Sequence, residues 1–178
     1  MQVVKVAKYG ISFELPKGWI TIDAKKVLQG GGGKNPVLDD LARRLGTPRD
    51  QLVRAFSSMV QTMSVSDRGA MHGFLENVNS VGQDVEVNDD QLKLQLATVG
   101  AKAAGLEHAT TDAGDLTRVA YALPTKAGIT IHAVVLAVHT DTATVAVTVS
   151  AGTAARAAEL ADGIQSSLKR MPGSGPNL

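Results

Sequence analysis

The sequence predicts an α+β fold: a three-layer α/β/α sandwich around a mostly antiparallel sheet of six or seven strands. Three observations predict it. The stretch Gly128–Ser150, GITIHAVVLAVHTDTATVAVTVS, reads as two long strands folded back on each other. In its first arm Ile129, Ile131, Ala133, Val135 and Ala137 share one face, and Val134, Leu136 and Val138 share the other. A strand apolar on both faces belongs in a sheet covered on both sides. Hairpins follow one another elsewhere, which makes the sheet antiparallel, and amphipathic helical stretches supply the two covering layers.

The second arm has one strongly apolar face, Val145, Val147 and Val149, alternating with Thr144, Ala146, Thr148 and Ser150. The connection His139-Thr140-Asp141-Thr142 is short and polar; without a glycine it leaves the turn type open.

From the start of the chain, Val3–Ala7 and Ile11–Leu15 form a hairpin turning at Lys8-Tyr9-Gly10. Pro16-Lys17-Gly18 ends the second strand with turn chemistry, and Trp19, the sole tryptophan, reads as a core anchor locking that turn to the sheet. The segment Gly10–Trp19, GISFELPKGW, resembles the opening of PsbP-like α/β/α sandwich proteins. Asn77-Val78-Asn79 in a mid-chain strand and a last helix after a long meander extend the resemblance. The Ala/Val/Gly-rich usage is similar to that of actinobacterial LpqN-like members of that superfamily. The resemblance implies the fold and a habit of binding other proteins; it brings no shared catalytic site.

Asp23 caps a short helix through Leu28, ended by Gly30-Gly31-Gly32-Gly33. Asn35 caps the next, with Pro36 at its first position and Val37, Leu38, Leu41 and Leu45 on one side. After Gly46, Thr47-Pro48 starts a third helix, in which Leu52, Phe56, Met59 or Val60, and Met63 recur at helical spacing. Residues 62–67 read equally as its end or as a short strand. Phe74–Val81 is a strand, and Asn88-Asp89-Asp90 supplies the cap and acidic first turn of a helix with Leu92, Leu96, Val99 and Ala103 in register. Leu106–Thr111 and Asp115–Leu123 form a hairpin around Asp112-Ala113-Gly114. Thr153 caps the last helix, with Ala154, Ala158, Ala161, Ile164 and Leu168 as its buried stripe. The expected organisation is one domain over residues 1–170, followed by a Pro/Gly/Ser-rich disordered tail over 171–178.

Composition narrows the function. A net charge of +1 gives no electrostatic case for nucleic acid, and 3% aromatic residues leave no stacking platform for single strands. The absence of cysteine removes disulfides, thiolate metal sites and cysteine nucleophiles. MQVVKVAKYG carries no apolar signal-peptide core, and no run approaches a membrane span, so the expectation is a cytoplasmic protein. An exported or lipoprotein form is the alternative if Met1 replaces a trimmed leader.

No catalytic signature is present. Gly30–Asn35 lacks the first glycine and the hydroxyl residue of a phosphate loop and reads as a connector. His72, His108, His132 and His139 show no metal-ligand spacing, and His132 and His139 differ in parity along one strand, which puts them on opposite faces. Asp39-Asp40 and Asp89-Asp90 sit where carboxylates stabilise helix starts. The expectation is therefore a non-enzymatic protein-interaction module without cofactor or metal, binding another protein or a second copy of itself. Its contact surface is expected on the irregular segment 30–50 and the loop 66–73, with Lys34, Arg43, Arg44, Arg49 and Arg54 as partner-binding residues. The alternative is a carrier of an apolar small molecule held between sheet and helices by Trp19, Phe56, Met59, Met63 and Phe74. An enzyme would need histidines and carboxylates to converge in one cleft.

Overall fold

A computed structural model describes residues 1–29, 36–45, 48–56, 60–71, 74–126 and 128–172. Its centre is the hairpin of β8 (Thr130–His139) and β9 (Thr144–Ala151), closed by a hydrogen bond from Thr140 N–H to the Ala143 carbonyl at 2.8 Å. Around it β3 (Ile20–Asp23), β4 (Val60–Met71), β5 (Phe74–Gln83), β6 (Lys102–Thr111) and β7 (Gly114–Pro124) complete a seven-stranded sheet in the order β3-β4-β5-β9-β8-β7-β6. Every neighbouring pair is antiparallel.

The parity of the central strand decides the layers. Val134, Leu136 and Val138 join Val145, Val147 and Val149 in a core cluster beneath the last helix, α5 (Ala154–Ser167). Val135 and Ala137 face the other way and pack with Leu92 and Leu96 of α4 (Asp89–Thr98). On that second face α1 (Ala24–Gln29), α2 (Pro36–Leu45) and α3 (Arg49–Phe56) cover the β3–β4 end, where Ile22, Val27, Leu38 and Val65 form a further cluster. Each fully buried Val or Leu contributes about 1.5–3 kcal/mol, so the doubly apolar β8 is the strand the fold can least expose.

The opening hairpin, β1 (Gln2–Val6) and β2 (Ile11–Leu15), stands apart from the large sheet. With β10 (Lys169–Arg170) it forms a three-stranded sheet beside α5. The backbone of Glu14 donates to Ser167 Oγ at 3.0 Å, and Met171 N–H reaches the Gly10 carbonyl at 2.7 Å. The chain end expected as a tail from residue 171 thus begins by pairing with the first hairpin; residues 173–178 lie outside the described residues.

Several local expectations hold. Asp23 accepts from Lys26 N–H at 3.2 Å at the start of α1, Asn88 and Gln91 form a reciprocal capping box on α4, and Thr153 caps α5 through Arg156 N–H. Others are corrected. Val60 and Met63 do not extend the α3 stripe: they belong to β4, where buried Thr62, Ser64 and Ser66 alternate with Met63 and Val65 at period two. Residues 62–67 are strand, and Ser66–Met71, expected as a loop, continue β4 through a register shift. The α4 stripe stops at Leu96, because Gly100 at φ +74° ends the helix and Ala101 N–H bonds back to the Leu96 carbonyl; Val99 is exposed and Ala103 lies in β6. In α5 the buried side is Ala157, Leu160, Ala161 and Ile164, continued by Leu168; Ala154 and Ala158 sit at its margin. Among the described residues no helix is long and apolar enough to cross a membrane.

Candidate functional site

The hairpin register around Asp112-Ala113-Gly114 sets His108 of β6 directly opposite Thr117 of β7, and Thr117 in turn opposes Ala137 of β8. His139 lies two residues further along β8 and so projects from the same face. That face is the one under α4. The entry to α4 is tied down by Val87, which is buried against Leu92 and Val135 and donates its N–H to Thr144 Oγ1 at 2.8 Å. Asp89, the first residue of α4, is thereby held over the strands with Oδ2 3.1 Å from His108 Nε2.

These groups form one connected chain. Thr117 Oγ1 stands 3.3 Å from His108 Nδ1 and 3.1 Å from His139 Nε2, and His139 Nδ1 is 3.5 Å from Thr144 Oγ1. Thr117 Oγ1 also stands 3.5 Å from Asp89 Oδ1, and with neutral imidazoles one direction satisfies the other four links. Thr144 O–H donates to His139 Nδ1, His139 Nε2–H to Thr117, Thr117 O–H to His108 Nδ1, and His108 Nε2–H to the Asp89 carboxylate. Both nitrogens of each ring are engaged, and Thr117 is only 2% exposed. The arrangement forms a polar floor beneath α4.

Above that floor opens a groove of about 720 Å³. Its walls carry the carboxylates of Glu86, Asp89, Asp90 and Asp115 with the two imidazoles, and among the described residues no lysine or arginine lines it. Asp115 accepts from Thr110 Oγ1 at 3.1 Å, while Asp90 lies 3.8 Å from Lys93. Among the described residues no group of three or more histidines and carboxylates has the geometry to hold a metal ion.

The residues singled out from the sequence sit elsewhere. Arg43 pairs with Asp40 at 3.1 Å and Arg49 with Asp39 at 3.4 Å, so part of that basic cluster is neutralised on its own helices. Arg54 is exposed on α3. Lys34 and Met59, like the glycine run 30–33, lie outside the described residues, as do the side chains of Arg44 and Phe56. Trp19 is 5% exposed in the core cluster beneath α5, as its anchor role requires, whereas Met63 packs with Ile22 and Val65 on the other face of the sheet. Phe74 opens β5, partly exposed. The structure does not bring Trp19 and Met63 together.

The convergence of His108, His139 and Asp89 was missed from the sequence, although half of it was legible. Counting outward from a tight turn at Asp112–Gly114 pairs His108 with Thr117. Nothing local places His139 or the start of α4 beside them. His132, by contrast, does fall on the opposite face from His139, as parity requires.

Comparison with known proteins gives one kind of match. No family model matches the chain, and no curated protein matches it. Among solved structures it is similar to cyanobacterial PsbP (CyanoP) from Synechocystis sp. PCC 6803, seen in solution. The TM-score is 0.58 and the identity 14%, over 95% of this chain and 91% of that one. At such identity the similarity is one of architecture, and it agrees with the antiparallel seven-stranded sheet and its covering helices: the chain has a PsbP-like fold.

Proposed function

We propose that this protein is a binding module rather than a catalyst, and that the groove between α4 and β6–β8 takes a lysine or arginine side chain presented by another protein. The observation that carries this reading is the charge of the groove: four carboxylates on its walls and no lysine or arginine among its described lining residues. The engaged imidazoles beneath support it, because a floor whose hydrogen bonds are already closed favours recognition over turnover. Exposed ion pairs are worth about 0.2–1 kcal/mol each, so such a complex depends on several contacts and weakens with salt.

Native mass spectrometry of the protein purified from its source cells tests the proposal. The expected result is a second polypeptide that dissociates at raised ionic strength and is lost from the Glu86→Gln/Asp90→Asn/Asp115→Asn variant. A partner retained by that variant, or released only when Arg43 and Arg54 are replaced, overturns it.

A further inference from the structure

The opposite face of the sheet carries a second hollow with different chemistry. The buried side of α5 begins at Ala157 and seats on the central hairpin, so it leaves the ends of β6 and β7 uncovered. The residues facing the gap are small: Ala120 and Ala122 of β7, with Ala154 and Ala157 of α5 as the wall. Alanine at these positions leaves a crease of about 450 Å³, with Val134 in its floor. That size lies within the range of small-molecule sites, roughly 300–1,000 Å³.

The strand register puts two basic groups at one end of it. Lys102 of β6 is directly opposite Ala122, and Ala122 is directly opposite His132 of β8. The three side chains therefore stand abreast on one face, with a methyl group in the middle and a basic group on either side. Neighbouring strands are about 4.8 Å apart, so Lys102 and His132 flank a gap of about 10 Å at their backbones, which their side chains can narrow. Neither side chain makes a hydrogen bond or ion pair with any described residue. Arg118 differs: it also reaches the crease but is held by Asp162 at 2.6 Å and Gln165 at 3.1 Å, and Glu107 on the rim lies 4.0 Å from it.

We propose that this crease binds an amphiphilic carboxylate, its head between Lys102 and His132 over Ala122 and its aliphatic body on Ala120, Val134 and Ala157. The basic pair selects an anion, and the alanine floor selects an apolar body. The site is separate from the acidic groove and would take a ligand of opposite charge.

Decanoate is the probe, followed by backbone amide NMR on the full chain. The expected result is a set of shifts confined to the Ala120–Ala122, His132–Val134 and Ala154–Ala157 amides. Lys102→Gln should weaken binding about tenfold, the scale of one charge-assisted hydrogen bond. His132→Gln should weaken it less, and Ala122→Leu should abolish it by filling the floor. Acetate and decyltrimethylammonium should produce no comparable shifts. Decanoate binding that is unchanged by Lys102→Gln, or equal binding of decyltrimethylammonium, overturns the proposal; so do decanoate shifts centred elsewhere. Lys102 is exposed and its replacement leaves the core untouched, which keeps the test independent of folding.

Discussion

His139 Nε2 lies 3.1 Å from Thr117 Oγ1, so the last residue of one strand is bonded to the diagonal neighbour in the next. Through Thr117 that contact reaches His108 and, beyond it, Asp89 at the head of α4. Among the described residues this hydroxyl is the one link between the two imidazoles. Thr117→Val keeps the shape and removes the link, leaving two ring nitrogens against a methyl group. The expected cost is about 1–3 kcal/mol, read as a lower urea midpoint, with Thr117→Ser close to wild type. A Thr117→Val midpoint equal to wild type would show that the hydrogen-bond chain does not hold α4 to the sheet.

Glu76 and Arg156 join β5 to α5 across the sheet. The Glu76 carboxylate is 5% exposed and receives Nε at 3.1 Å and Nη2 at 3.3 Å, and these bonds hold the guanidinium above its usual pKa. Arg156→Met strands a buried carboxylate, and a loss of about 3–5 kcal/mol is expected. Adding Glu76→Gln should restore most of it, since the penalty is an unpaired charge rather than a lost contact. Chemical denaturation of the single and double variants separates these effects.

Gly82 is kept by the ring of Tyr9. A Cβ at position 82 would run into that ring, whose hydroxyl is bonded to Asp84 at 2.9 Å. Gly82→Ala must push the ring aside, at an expected cost of about 1–3 kcal/mol. In a Tyr9→Ala background the same substitution should be nearly neutral. Equal costs in both backgrounds would mean that strand conformation, and not the ring, excludes a side chain there.

Tyr121 packs with Leu106 on the α4 face, and burial raises its phenol above the ordinary value of 10.0. A folded pKa raised above the unfolded one contributes stability that is complete below about pH 10 and lost as pH climbs through the folded value. Thermal melts should therefore fall more steeply above about pH 10 for wild type than for Tyr121→Phe. Ultraviolet titration of phenolate checks the assignment directly, with Tyr9 as the other tyrosine in the chain.

On the acid side, the Asp84 carboxyl is held below its ordinary range first by its hydrogen bond from Lys8 and then by Tyr9. A depressed folded pKa contributes stability above the unfolded value, lost as pH falls through the folded one. The pair is fully exposed, so the slope is expected to be small and to shrink with salt. A melting temperature in Asp84→Asn that falls with acid as fast as in wild type would assign that slope to other carboxylates.

Local chemistry made much of this fold legible. Apolar residues on both faces of 129–138 announced a strand covered on both sides, Asn88 and Thr153 announced helix starts, and Asp112-Ala113-Gly114 announced a hairpin. These signals act between residues close in the chain, so they survive in a sequence read by itself. Helix ends were less certain, because Val99 and Ala103 match a helical period that Gly100 stops. Segment 60–66 had the opposite fault: Val60 and Met63 match a helical spacing, yet pairing with β3 and β5 decides a strand. The candidate site needed more. Asp89, His108, Thr117 and His139 meet only because three strand registers and the docking of α4 are fixed together, and Lys102 and His132 flank Ala122 only because two registers agree. Sequence determined the elements and their faces, through propensity and period; the tertiary structure decided which faces share a groove, because strand order and register are set by packing of the whole core.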